Sequence, residues 1–600
     1  MPASVRIANA SGYWGDDPEA LARQLRGGPV DYVTLDFLAE ITMVILQRQR
    51  ARDPNLGFAY DFVQMIDPLL PELVERGVRV VANAGGVNVT ACGDRIAAAC
   101  GARGVAPVLG MVQGDDLLPR LDELLARGIA FDNMDDGRPL APVRAQVVAA
   151  NAYLGAWPIA QALGAGAQLV VTGRTTDAAL ILGPLVHEHG WSWSDFDRLA
   201  AGTVAGHVLE CGAQATGGNL TDWRRVPALD VGYPIAEVSA DGTFVVTKHP
   251  GTGGRVSRMT ITEQLLYEIG DPSAYLTPDV AADFRNLRVE TIGPDRVRVS
   301  GAAGTPPPDR LKVTIVYRDG YRAVGFALIS GPDVVAKAER LADMVWHRVG
   351  ADFQDRTADL VGYRSCWGPA APEVVPNEGV LRMAVRDQDR AKVERFAHAM
   401  LGFALQGPPG LGVFGGRPEV QPAFGYWPAL VPRELVRPDI QIRRGPTAPW
   451  EAAGGEPPVV TTRSFSAVAG HAAAAPAPRS AKASRVPLGR IAYARSGDKG
   501  DHANIGVAAR SPAAFDFLRE ALPASRVAAL FGERVRGPVM RYELPGLQAF
   551  NFVLHHALGG GGTLSLRVDH QGKTLAQALL QLAIDVPDDV LRATPADGEG

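Results

Sequence analysis

Ala167 to Pro184 reads AQLVVTGRTTDAALILGP, and its order of apolar and polar residues decides the fold. Gln168 to Thr172 is a short run rich in β-branched residues, of the kind that fills a buried parallel strand. Gly173 breaks the strand, Arg174-Thr175-Thr176-Asp177 make a polar turn, and Ala178 to Leu182 resumes as apolar helix. Thr176 or Asp177 is the expected N-cap, its side-chain oxygen accepting from the free amides of the first helical turn. A strand, a glycine turn and a helix start in succession mark the place where open α/β sheets bind ligands. The free amides and the helix dipole favour an anion there, and Arg174 adds a bidentate donor for phosphate or carboxylate. The plain alternative is an ordinary βα turn with a solvated arginine.

Outward from this stretch, strand and helix signals alternate over the first 190 or so residues. Val5 to Ala8, Tyr32 to Leu35, Val78 to Ala82 and Val105 to Leu109 read as strands. Helices are expected between them, with a long apolar helix over Val143 to Gly164, kinked near Trp157-Pro158. Such alternation predicts βαβ units and a mostly parallel, Rossmann-like sheet. Asp36, Asn83 and Asn88, Asp115-Asp116 and the Arg174 to Asp177 group all fall at strand exits, the edge where α/β sheets place sites. Past Trp191 the texture changes to α+β, with a hairpin turn expected at Arg318-Asp319-Gly320. Pro, Ala, Gly and Ser dominate Gly445 to Arg485, including Ala472 to Pro478, which is a linker composition. The last hundred or so residues suit a small ferredoxin-like α+β domain, with Thr563 to Arg567 as one of its strands. The expected organisation is an α/β domain over 1–235, an α+β domain over 236–444, a linker over 445–486 and the ferredoxin-like domain over 487–590.

Composition narrows the function. The 600 residues are 46% hydrophobic and 21% charged with a net charge of −5, so no basic excess supports nucleic-acid binding. No apolar run approaches the roughly 18–20 residues of a membrane span, and the N-terminus MPASVRIANASG lacks a signal-peptide core. Cys92, Cys100, Cys211 and Cys366 form no C-x-x-C pair and no disulfide framework. A cytoplasmic protein, expected as a homo-oligomer, is the reading. The close histidine pairs, His187 with His189 and His555 with His556, have no acidic partner at metal-ligand spacing, so no metal is expected.

Candidate chemistry gathers in loops. Asp36, Asp132, Asp135, Asp136 and Asp177 could include a general acid and base pair, with Asp36 and Asp177 as the catalytic candidates. That role needs one carboxyl raised by burial beside its partner; helix caps and turn formers are the alternative. Cys211 lies on a small-residue loop four residues after His207, which suits a nucleophile and its base; a buried inert thiol is the alternative. Asn83, Gly85, Gly86, Asn88, Thr176, Gly217, Gly218, Asn219, Gly253 and Gly254 lie in loops whose amides and side chains could hold an anion. No P-loop and no clean G-x-G-x-x-G accompanies them. Arg495-Ser496-Gly497-Asp498-Lys499-Gly500-Asp501-His502-Ala503-Asn504 is read as a strand-delivered polar loop, with Arg495, Ser496, Asp498, Lys499 and Asn504 as binding candidates.

Four motifs carry a family resemblance. They are Val171-Thr-Gly-Arg-Thr-Thr-Asp177, Glu210-Cys-Gly-Ala-Gln-Ala-Thr-Gly-Gly-Asn219, Pro250-Gly-Thr-Gly-Gly254 with Gln264-Leu-Leu-Tyr-Glu-Ile-Gly-Asp-Pro272, and Arg495-Ser-Gly-Asp-Lys-Gly-Asp-His-Ala-Asn-Ile-Gly506. In these the chain resembles the acyclic terpene utilisation AtuA family in its longer form, with a C-terminal ferredoxin-fold module. The resemblance implies catabolism of citronellol- or geraniol-type terpenes through branched acyl-CoA intermediates. The expected function is an enzyme acting on such an acyl-CoA by lyase or hydratase chemistry, with coenzyme A present only as part of the substrate and no other cofactor. The alternatives are a non-catalytic accessory or scaffold subunit of the pathway, and a thiol hydrolase using Cys211.

Overall fold

Five short parallel strands occupy the centre of the molecule, whose computed structural model describes residues 3–227, 229–350, 352–413, 415–464 and 482–594. In spatial order they are Ser4–Ser11, Tyr32–Leu35, Arg79–Ala82, Leu169–Thr172 and Val108–Gln113. Successive residues alternate between two cores: Val80 and Ala82 pack on one face, Val81 on the other. That burial on both faces is why these strands read as continuous apolar runs.

The sheet does not stop at residue 235, the expected end of the first domain. Ile235–Ser239, Phe244–Thr247, Arg296–Ser300 and Arg288–Gly293 extend it antiparallel at one side. Asp439–Arg444 and Glu451–Ala452 extend it at the other, giving eleven strands in all. Glu451–Ala452, inside the expected linker, is therefore sheet, and Ala483–Pro487, at its end, pairs with Ala583–Pro587. The Ala472 to Pro478 run lies outside the described residues.

A second sheet is built on one long strand, Arg310–Ser330. The Arg318-Asp319-Gly320 turn is absent: the strand continues through it with a register shift between Arg318 and Tyr321. Gln421–Pro432 and Glu378–Asp387 pair along its length, and this pairing holds the irregular segment extended. Val147–Ala152 also joins it as a strand, where a helix was expected. The sequence VVAANA has apolar positions that satisfy either period, and pairing opposite Val313 to Tyr317 selects the extended form. Val334–Val349 and Arg390–Leu401 cover one face of this sheet around Met383 and Phe396.

The C-terminal residues form a four-stranded antiparallel sheet in the order Ala492–Lys499, His502–Ala509, Ala549–Leu554, Val539–Leu544. Helices Pro512–Ala521, Ala524–Phe531 and Leu575–Leu580 contribute to its core. The polar stretch from Arg495 to Asn504 is thus a tight hairpin inside this sheet. Thr563 to Arg567 forms no strand. Tyr493, Leu544 and Leu547 pack into the core of the large unit, so the C-terminal module is seated on it by apolar as well as polar contacts.

Candidate functional site

A cavity of about 1910 Å³ opens where the C-terminal ends of the central strands, the second sheet and the C-terminal module meet. Three stretches of chain far apart in sequence therefore line one cavity.

The first corner grows from the strand Leu169–Thr172. A Cβ at Gly173 would stand 2.2 Å from Asp115 Oδ1, so only glycine lets the chain leave the strand here. The Arg174 amide donates to Asp115 Oδ2 (2.9 Å), which also accepts from Asn151 Nδ2 (2.9 Å). Burial pushes the Asp115 carboxyl up to about 6. The Arg174 guanidinium lies 4.3 Å over the Tyr153 ring and donates through one nitrogen to Leu38 O and to Asp177 Oδ1, each at 2.8 Å. Asp36 sits beside this pair, accepting from Leu38 N (3.0 Å) and from Asn83 Nδ2 (2.6 Å). Burial raises Asp36 well above the carboxylate range, the charge of Asp177 adds to the rise, and Arg174 opposes it. A carboxyl that keeps its proton beside a more open carboxylate is a donor and acceptor set for proton transfer.

Along the same wall, Glu40 accepts from Tyr153 Oη (2.9 Å) and lies 3.6 Å from Lys312 Nζ. Burial alone would raise Glu40, but Lys312 and Arg174 outweigh it and hold the carboxyl at about 2. Burial likewise works against the Lys312 ammonium, which Tyr153, Tyr426 and Glu40 keep well above its ordinary range. Glu40 is thus a fixed anion and Lys312 a fixed cation, and neither suits proton exchange near neutral pH.

The C-terminal module closes the opposite side. Arg495 spends its guanidinium on Glu263 (3.1 Å), Gln214 Oε1 (3.2 Å), Gln264 Oε1 (3.3 Å) and Gly218 O (3.0 Å). Glu263 is fully buried, and burial raises it while Arg495 counteracts. Arg510 pairs with Asp222 at 2.6 Å, a second ion pair across the same seam. Lys573 Nζ bonds Glu268 (2.5 Å), Asp498 (3.2 Å) and Tyr267 Oη. Burial, with the charge of Glu268 adding, pushes Asp498 up to about 6.

Of the residues expected from sequence, Asp36, Arg174, Thr176, Asp177, Cys211, Gly218, Asn219, Arg495, Ser496, Asp498 and Lys499 line this cavity. The others fall outside its lining. Asn83 is buried behind Asp36 and orients it. Asn88 caps the helix Val89–Arg103, accepting from Ala91 N (3.4 Å), and donates to Pro54 O and Leu56 O. Gly85 and Gly86 are packing positions, where a Cβ would meet Thr172 O at 2.7 Å and Leu46 Cδ1 at 2.4 Å. Gly217 packs on Val226 at a positive φ. Gly253 and Gly254 form no open cradle: their amides donate to Asp230 O and Pro227 O, and a Gly253 Cβ would meet Leu229 O at 1.8 Å. Asn504 is buried, donating to Leu266 O and accepting from Glu268 N. Ser496 and Arg495, although at the cavity, bond protein groups throughout: Ser496 Oγ donates to Gly572 O and accepts from Ala576 N. The N-cap expectation at 176–177 also fails. The helix starts at Ala179 without a side-chain cap, because Asp177 turns to Arg174.

His207 and Cys211 do not form a nucleophile and base. His207 is buried between Tyr275 and Phe284, with Nδ1 on Glu210 Oε1 (2.9 Å). Burial and the charges of Glu210 and Glu268 push the Cys211 thiol well above its ordinary value, away from the reactive thiolate. Glu40, Tyr153, Glu268, Lys312, Tyr426, His502 and Lys573 also line the cavity and were not among the expected site residues. Two of them carried a local signal: Glu268 lies in the quoted stretch Gln264 to Pro272, and His502 in the polar stretch Arg495 to Asn504.

Among the described residues no group of three or more His, Cys, Asp or Glu side chains is placed to hold a metal ion, and no helix is long and apolar enough to cross a membrane. Residues 5–442 match the family model described as Acyclic terpene utilisation family protein AtuA, and residues 486–585 match the AtuA ferredoxin-like domain. No curated protein and no solved structure matches the chain.

Proposed function

The chain belongs to the acyclic terpene utilisation AtuA family, and from that premise we propose that it is an enzyme acting on a branched, unsaturated acyl-CoA thioester by hydration or the reverse lyase step. The observation that carries this reading is the pairing of Asp36 with Asp177 across Arg174 in the cavity wall. Hydration of a conjugated thioester needs water activated at the β-carbon and a proton delivered to the α-carbon. Asp177, open to the cavity, takes the proton of the attacking water as its oxygen bonds the β-carbon. Asp36 gives its proton to the α-carbon, and the pair exchanges protons with solvent before the next turnover. Asn83 and the Leu38 amide hold Asp36 in place, and Arg174 orients Asp177. Coenzyme A enters as part of the substrate. A thiol hydrolase using Cys211 finds no support in the raised thiol or in the pairing of His207 with Glu210.

The test is a thermal-shift screen of the full chain against branched and straight acyl-CoA esters and the corresponding free acids. A true ligand at a hundredfold its dissociation constant adds about 2.7 kcal/mol of stability. A shift with unsaturated branched esters is the expected result. No shift with any ester overturns the proposal.

A further inference from the structure

The C-terminal module brings one titratable ring to the cavity wall that the acid–base pair above does not use. His502 lies at the start of a hairpin strand and lines the cavity together with Asp135 of the large unit and Tyr426 of the second sheet. Its Nδ1 accepts the backbone N–H of His556 at 3.1 Å. A ring nitrogen that accepts an amide proton carries none itself, so a neutral His502 must carry its proton on Nε2. Nε2 points at Asp135 Oδ1, 3.4 Å away across the seam.

The surroundings hold that state. Asp501 accepts from the His556 ring at 2.9 Å and from Gly560 N at 2.6 Å, which anchors the segment carrying the His556 amide. The rings of His555 and His556 stand 4.4 and 5.1 Å from His502, centre to centre. Burial, with the charge of His556 adding, lowers the His502 pKa, and Asp501 opposes this. Burial, with the charge of Asp501 adding, pushes Asp135 up to about 6, while His556 and Lys312 pull it down. His502 is therefore favoured as a neutral ring with a single fixed donor. As a base it would need a free lone pair, and its only one is occupied by the His556 amide.

We propose that His502 is the C-terminal module's own contribution to the site: a neutral imidazole that donates from Nε2 to the carbonyl oxygen of an acyl ligand, exchanging Asp135 for that oxygen. This rests on the reading of the cavity as an acyl-thioester site. The step moves no proton; the donor bond strengthens as negative charge develops on the carbonyl oxygen. It also gives the module a reason to form part of the wall: without it the cavity keeps its acid–base corner and loses this donor.

Long-range proton–nitrogen NMR of the full chain with labelled histidine tests it. At pH 7 the His502 ring is expected to carry one proton, on Nε2, and that resonance is expected to move on addition of 3-methylbut-2-enoyl-CoA and, separately, of 3-methylbut-2-enoate. H502Q, which keeps an amide donor, should bind within about threefold of wild type, and H502F should bind about tenfold more weakly. A proton on Nδ1, a doubly protonated ring, or a ring unmoved by both compounds overturns the proposal. Movement with the free acid but not with the ester upholds His502 and removes the thioester reading instead.

Discussion

Arg174 and Arg495 are both arginines in polar, glycine-containing stretches that follow strand signals, and both side chains are 4% exposed. Their partners separate them. Asp177 is 37% exposed and faces the cavity, whereas Glu263 is 0% exposed and faces only protein. An ion pair whose carboxylate can meet solvent or ligand can take part in chemistry. One whose carboxylate is sealed and whose guanidinium bonds only protein groups fixes two modules to each other. The same residue type in the same kind of motif thus does opposite work, and the difference lies in where the acid comes from: three residues away for Arg174, a distant helix for Arg495.

The comparison can be broken most severely at Arg495. R495A leaves Glu263 as an unpaired buried charge, and the expected loss is roughly 3–5 kcal/mol in denaturant unfolding, with early loss of the C-terminal module. A loss below about 1 kcal/mol would show that the seam is held by its apolar contacts alone.

Asp115, which supports the Arg174 amide, gives the next effect through pH. In the folded chain it keeps its proton up to about 6, while unfolded aspartate releases it near 4. Its contribution to stability is therefore complete below about pH 4 and lost as pH rises through 6, amounting to about 3 kcal/mol over that window. D115N should lessen the slope of the stability–pH curve between 4 and 6, leaving the part contributed by Asp135 and Asp498, which are also raised to about 6; an unchanged slope contradicts the assigned burial.

Asn88 sharpens the contrast from the structural side. N88A should cost about 1 kcal/mol through the lost cap of Val89–Arg103, with ligand-induced thermal shifts unchanged because Asn88 is outside the cavity lining. The smallest effect belongs to Cys211. C211S should keep activity within about a factor of two, as expected where no thiolate is used, and a larger loss in kcat would reopen the thiol reading.

The strand-turn-helix of 167–184 was legible because most of what makes it is local: a β-branched run, a glycine turn, and an arginine paired three residues on. The close approach of Asp115 that requires the glycine comes from another strand exit. The parallel centre followed from similar runs. Val147–Ala152 was misread because a short apolar run fits either period, and its partner strand lies more than 150 residues later. Arg318-Asp319-Gly320 carried good turn residues, yet strands pairing with the segments before and after it carried the chain straight through. The glycine loops at 85–86 and 253–254 were legible as glycine requirements but not as to cause, since close packing and phosphate cradling demand the same residue. Glu40, Lys312 and Lys573 left no local trace. Each acquires its meaning only from partners that the fold brings in from other elements.

The account turns on proton transfer at Asp36 and Asp177. Incubating 3-methylbut-2-enoyl-CoA with the protein in D2O and reading the acyl mass tests that directly. Reversible hydration predicts deuterium on the α-carbon with the wild-type chain and incorporation about a hundredfold slower with D36N. No incorporation by the wild-type chain, or equal incorporation by D36N, contradicts it.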